Sequence, residues 1–168
     1  MKLAEFNQLD IESRVQQLLA CCHSLAWANR VAAAAPFDSA EQLLKITDAA
    51  WAEATEADIL EAFSGHPQIG DLSALRNRFA KTASAEQGQV TQAPDEVLLK
   101  LKAGNEAYRV KFGFIFIVFA ANKSAEEMLE LLEQRSTNDR TEELMNGARE
   151  QGLITRLRLA QLIDELSA

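Results

Sequence analysis

The sequence predicts an all-α fold: a single compact multi-helix domain interrupted by one irregular aromatic segment at about 112–121. Three observations carry that expectation. Apolar residues recur at three- and four-residue steps through most of the chain. Cap-forming residues stand at the heads of these runs. Aromatic and β-branched residues cluster in one place, 112–119, where a lone strand would have no partner. No internal repeat or low-complexity linker divides the chain, so 1–168 reads as one domain.

The elements follow in order. Asp10 is placed to cap a helix over 11–23, with Ile11, Val15, Leu18, Leu19 and Cys22 at helical spacing. Ser24 caps a short helix through Trp27 and Val31 that stops before Pro36. Ser39 starts a third, with Leu43, Ile46 and Ala50 on one side and Leu44 and Trp51 beside them. Thr55, with Asp58 three residues on, opens a fourth that carries Ile59, Leu60 and Phe63 up to Gly65. Pro94-Asp95-Glu96 opens a long helix striped by Val97, Leu101, Tyr108 and Phe112. Ser124 caps 125–134, and Asn138 or Asp139 caps a final helix reaching Leu166.

Composition narrows the functional classes. The 168 residues are 48% hydrophobic and 25% charged, with 7 Gly and 3 Pro, which excludes a disordered or fibrous chain. Lys+Arg 17 against Asp+Glu 25 gives a net charge of −8, so the global field favourable to nucleic acid is missing. An anionic ligand would need a local cluster of donors. The longest apolar run, 112–121, falls far short of the ~20 residues that span a bilayer. The first residues show no leader pattern and the last no peroxisomal address, so the expected location is cytoplasmic. Cys21, Cys22 and His23 are contiguous; ligands so placed on one helix cannot converge on an ion, and buried thiols in a reducing compartment are expected.

Four segments carry chemistry. In Gly65-His66-Pro67-Gln68-Ile69-Gly70 the proline disfavours helix at His66, and Gly65 suits a helix end, so an imidazole stands on a stiff corner. Its pKa near neutrality suits proton transfer, although a polar helix-stop loop accounts for the same residues. Ser84-Ala85-Glu86-Gln87 is a capping box, and the same helix end offers amides to a carboxylate or carbonyl while Glu86 accepts from N–H groups or orients a histidine. Tyr108 to Phe119 holds four of the 8 phenylalanines; core packing explains it, and a dry ligand wall does as well. Arg158 shares a stripe with Ile154 and Leu162, so it points inward and needs either a protein carboxylate or an anionic ligand.

Together these segments resemble the 2-oxo-4-hydroxy-4-carboxy-5-ureidoimidazoline (OHCU) decarboxylase family of purine catabolism. The matching residues are His66-Pro67-Gln68-Ile69-Gly70, Ser84-Ala85-Glu86-Gln87, Asn105 with Tyr108 and Lys111-Phe112-Gly113-Phe114, and Leu157-Arg158-Leu159. Two departures stand out: Ile115 replaces a common proline, and Asn122-Lys123 stands where glycine is usual. The resemblance implies an all-α homodimer with no cofactor, acting on OHCU to form (S)-allantoin and carbon dioxide. It implies His66 as catalytic acid/base assisted by Glu86, with Pro67, Ser84, Gln87, Arg158 and the backbone at Ile117, Val118 and Phe119 lining the substrate site. No metal, nucleic-acid or membrane partner is implied. In that scheme Arg158 and the Ser84 helix end bind the polar edge of the substrate, and a carboxylate near His66 raises its pKa. Two other classes remain open on the residues alone: a helical interaction module without chemistry, and a cofactor-free hydrolase or lyase acting on another ureide or imidazole.

Overall fold

The computed structural model describes residues 1–67, 77 and 95–167, and the regular elements among them are helical. They are α1 (Leu3–Gln8), α2 (Ile11–Cys21), α3 (Leu25–Ala33), α4 (Ala40–Ala52), α5 (Glu56–Ser64), α6 (Asp95–Phe112), α7 (Ala125–Arg135) and α8 (Arg140–Leu162), followed by a 3-10 turn at Asp164–Leu166. The caps act as the sequence predicts. Asp10 accepts from the Ser13 amide at 2.7 Å, and Ser24, Ser39 and Ser124 each accept from the amide three residues on. Thr55 and Asp58 form a reciprocal box. Of the two candidates for the last helix, Asp139 does the capping, accepting from the Glu142 amide. The short α1 is unanticipated: it has no side-chain cap bond at its N-cap, Lys2, and it is held by burial of Leu3 and Phe6.

The chain forms two compact units, one of Met1–His66 with Ala148–Ala168, the other of Pro67–Gly147. The first unit packs α3 against α2, α4 and α5 around Phe6, Leu18, Trp27, Leu43, Leu159 and Ile163, each with 1% exposure or less. Indole N–H groups pin this core: Trp27 Nε1 donates to the Thr47 carbonyl at 3.1 Å and Trp51 Nε1 to the Ala148 carbonyl at 2.8 Å. The two ends of the chain are tied together, the Met1 ammonium donating to the Leu162 carbonyl at 2.7 Å and the Leu3 amide to Glu165 at 2.7 Å. Cys21 and Cys22 are free thiols buried in this unit, as expected.

In the second unit α6 packs on α7, with Leu98, Leu101, Met128 and Leu132 buried. A Cβ at Gly104 would lie 2.7 Å from Leu132 Cδ2, so any larger residue there would require the Leu132 side chain to shift. The aromatic segment leaves α6 through Gly113, whose φ of 83° is the left-handed conformation that glycine adopts without strain. Residues 115–120 then run without regular structure, as the sequence predicts, and Ile115 sits within that stretch. Asn122 takes φ 62°, which explains why glycine suits this place and why asparagine can replace it.

Candidate active site

His66 follows directly on α5, its amide donating to the Phe63 carbonyl at 3.1 Å. Gly65 takes a right-handed conformation at the helix end, not the left-handed cap; its missing Cβ matters for space, since a Cβ there would lie 2.4 Å from His23 Cβ. The imidazole is half-buried. Its Nε2 stands 2.5 Å from Gln151 Oε1, and Gln151 Nε2 donates to Thr155 Oγ1 at 3.1 Å. The Thr155 hydroxyl donates to the Gln151 carbonyl at 2.9 Å.

Arg158 lies one turn beyond on the same helix, half-buried, donating to the Cys21 carbonyl at 3.4 Å. Among the described residues no carboxylate pairs with it. Its charge acts on His66: burial first, and then the guanidinium, push the imidazole pKa below the ordinary histidine value against the Gln151 hydrogen bond, which raises it. This direction differs from the expectation of a raised pKa, because burial outweighs the Gln151 bond and the charged neighbour among the described residues is a cation. Burial likewise pushes the neighbouring thiols up, Cys21 to about 11 and Cys22 to about 12.

The structure thus brings His66 and Arg158 together in one unit. Pro67 is exposed and opens the second unit, to which Ile117, Val118 and Phe119 also belong. Ser84, Glu86 and Gln87 lie outside the described residues. In the second unit the Ile117 carbonyl accepts from Arg135 Nη1 at 2.6 Å. Arg135 in turn stacks over the Phe116 ring at 4.6 Å and pairs with Glu143, Nε to Oε1 at 2.8 Å. Glu143 is wholly buried and accepts from Tyr108, Asn138 and Asn146 as well. Burial alone would raise its pKa, but the hydrogen bonds from Asn138, Tyr108 and Asn146 and the charge of Arg135 outweigh that and hold it below the usual value. Burial, followed by the Glu143 hydrogen bond and charge, pushes the Tyr108 phenol well up. The Ile117 backbone is therefore clamped by a charged network that surrounds the aromatic cluster of Tyr108, Phe112, Phe114 and Phe116.

Gln151, Thr155, Arg135 and Glu143 escaped the sequence reading. For the first two a signal exists: along α8 the buried residues are Glu143, Leu144, Gly147, Ala148, Gln151, Thr155 and Leu159, a stripe at helical spacing in which Gln151 and Thr155 stand between the apolar Ala148 and Leu159. The stripe of Ile154, Arg158 and Leu162 is the half-buried flank of that face, not its centre. Nothing comparable marks Arg135 or Glu143, each one charge among many on charged helices.

Among the described residues, an imidazole and a guanidinium without a carboxylate partner thus influence each other within one helical unit, a combination suited to handling an anion by acid–base chemistry. Comparison with known proteins narrows this class. The OHCU decarboxylase family profile matches residues 7–160, and the chain belongs to that family. It is 35% identical over 148 residues to the "Uric acid degradation bifunctional protein TTL" of Arabidopsis thaliana, covering 86% of this chain and 46% of that protein. The chain thus spans about half the length of that curated relative. It is 26% identical over 163 residues to the "2-oxo-4-hydroxy-4-carboxy-5-ureidoimidazoline decarboxylase" of Haloferax volcanii, covering 96% and 95% of the two chains. Among solved structures, an OHCU decarboxylase crystallised in the presence of (S)-allantoin superposes with a TM-score of 0.74 at 33% identity, over 88% of this chain and 97% of that one.

Proposed function

We propose that this chain decarboxylates OHCU to (S)-allantoin in urate degradation, with His66 as the stereospecific proton donor. The observation that carries the reading is the half-buried His66 imidazole, held by Gln151 and within reach of the charge of Arg158, both residues inside a family match that runs through residues 7–160. Such a pair has an evident use in a decarboxylase and none in an interaction module. The guanidinium takes the substrate carboxylate, placing the scissile bond beside the imidazole.

The chemistry follows in balanced steps. The bond between the ring carbon and its carboxylate breaks, carbon dioxide leaves, and the electron pair passes into the conjugated imidazoline ring. The imidazolium of His66 then gives one proton to one face of the adjacent ring carbon, the one that bears the ureido group, and becomes neutral. The hydroxyl on the carbon that lost carbon dioxide passes its proton to the ring nitrogen, and that carbon becomes the carbonyl of allantoin. No cofactor is invoked, because the ring itself takes the pair. The depressed pKa leaves His66 neutral in the free enzyme; the bound substrate anion offsets the charge of Arg158 and favours proton uptake on binding. Glu86 assists His66 by orienting it or the substrate N–H groups. Pro67, Ser84, Gln87 and the backbone at Ile117, Val118 and Phe119 complete the substrate site, with the phenylalanine-rich segment excluding water. The enzyme works as a cytoplasmic homodimer; among the described residues no helix is long and apolar enough to cross a membrane.

The test is an assay of OHCU consumption by absorbance together with circular dichroism of the allantoin formed. Faster loss with one enantiomer in excess supports the reading; a spontaneous rate and racemic product refute it.

A further inference from the structure

The geometry around His66 points to Gln151 as a positioning residue that holds the imidazole in its Nε2–H tautomer, so that Nδ1 is the atom that exchanges the catalytic proton. The inference rests on the proposed role of His66.

The argument counts donors and acceptors. A threonine hydroxyl has one proton to give. That of Thr155 goes to the Gln151 main-chain carbonyl at 2.9 Å, the back-bond to the preceding turn that helical threonines commonly make. Thr155 Oγ1 can then only accept from the Gln151 side chain, and the group 3.1 Å away must be the amide NH2. The Cys22 thiol, its pKa raised to about 12 by burial, also lies within hydrogen-bond reach of this hydroxyl. With its NH2 turned to Thr155, Gln151 presents its carbonyl oxygen to His66, 2.5 Å from Nε2. An acceptor there requires Nε2 to carry hydrogen. Gln151 is 0% and Thr155 7% exposed, so bulk water does not supply alternative partners that would let the amide turn over.

The consequence for catalysis is economical. Nε2–H is present in both neutral and cationic imidazole, so the Gln151 bond persists whether or not His66 holds the catalytic proton. The proton that leaves for the substrate carbon departs from Nδ1, and the imidazole left behind is already the tautomer that Gln151 favours. No ring flip or amide rotation accompanies turnover.

The experiment uses protein labelled with 15N-histidine. Only two imidazoles exist, His23 and His66, and loss of one set of signals in His66→Gln assigns the other. At a pH where His66 is neutral, we expect a pyrrole-type signal from Nε2 and a pyridine-type signal from Nδ1. Gln151→Leu should average the two shifts towards each other and lower kcat roughly 10- to 100-fold with KM nearly unchanged, the scale on which losing a partner that orients an active imidazole is felt. Gln151→Glu, which keeps an acceptor at the same place, should retain the Nε2–H pattern. Thr155→Val, which frees the amide to turn, should move the shifts in the same direction as Gln151→Leu.

A native spectrum with Nδ1 pyrrole-type, or one that Gln151→Leu leaves unmoved, overturns the inference and leaves His66 as a proton donor through its other nitrogen. The converse failure is separable: if His66→Ala keeps its rate and product handedness while the native spectrum is as expected, it is the role of His66 in the reaction that falls.

Discussion

Arg135 and Glu143 form an ion pair sealed inside the second unit, with Nε 2.8 Å from Oε1 and the carboxylate wholly removed from solvent. Removing one partner of such a pair strands the other charge, so Glu143→Ala should cost on the order of 3–5 kcal/mol in urea unfolding. The exposed pair of Arg156 and Asp48 is just as close, at 2.6 Å, yet Asp48→Asn should change stability by only about 0–1 kcal/mol, because water already solvates both charges. Equal costs for the two variants would contradict the account of what clamps the Ile117 carbonyl.

The pH profile should report the depressed imidazole. A proton donor must be cationic, and a histidine loses its charge as pH rises, so kcat/KM should fall with rising pH around a pKa below the ordinary 6.5. In the substrate complex the bound carboxylate offsets Arg158, so the corresponding fall in kcat should come at higher pH. Identical pKa values in both profiles would argue against substrate-assisted protonation.

Arg158→Ala should raise KM about 10- to 100-fold, the equivalent of losing a charge-assisted hydrogen bond worth ~1.5–3 kcal/mol. It should also lift the His66 pKa seen in kcat/KM, because a cation that lowers it is gone. Steady-state kinetics across pH measures both, and an unchanged KM would remove Arg158 from the substrate site.

The thiols of Cys21 and Cys22, raised to about 11 and about 12 by burial, should resist alkylation in the native protein near neutral pH and react fully once it is unfolded. Rapid native labelling of either, followed by mass spectrometry, would contradict their placement in the core.

The helices were legible where the signal is local. Asp10, Ser24, Ser39, Thr55 and Ser124 announce their helices because a cap bond spans three residues and the apolar period begins just beyond it. The helix α1 escapes a sequence reading because its N-cap is a lysine and its six residues are too few for a repeating apolar stripe; the Glu5 bond to the Lys2 amide and burial of Phe6 against Phe37 hold it, and the second of these is not local. At the candidate site His66 and Arg158 stood out by residue type. Their companion Gln151 did not, since a glutamine inside a helix reads as solvated surface until its turn is known to face the core. The same polar pair, Gln151 and Thr155, is what displaced the apparent stripe of the last helix onto Arg158 and its neighbours.

The central claim is that His66 delivers the proton that sets the configuration of the product. The most direct measurement is the circular dichroism of allantoin formed from OHCU by the native protein and by His66→Ala. The account predicts one enantiomer from the native protein, and from the variant a rate lower by ~100- to 10,000-fold, the usual worth of a positioned acid, with racemic product. A variant that keeps both the rate and the handedness would contradict it.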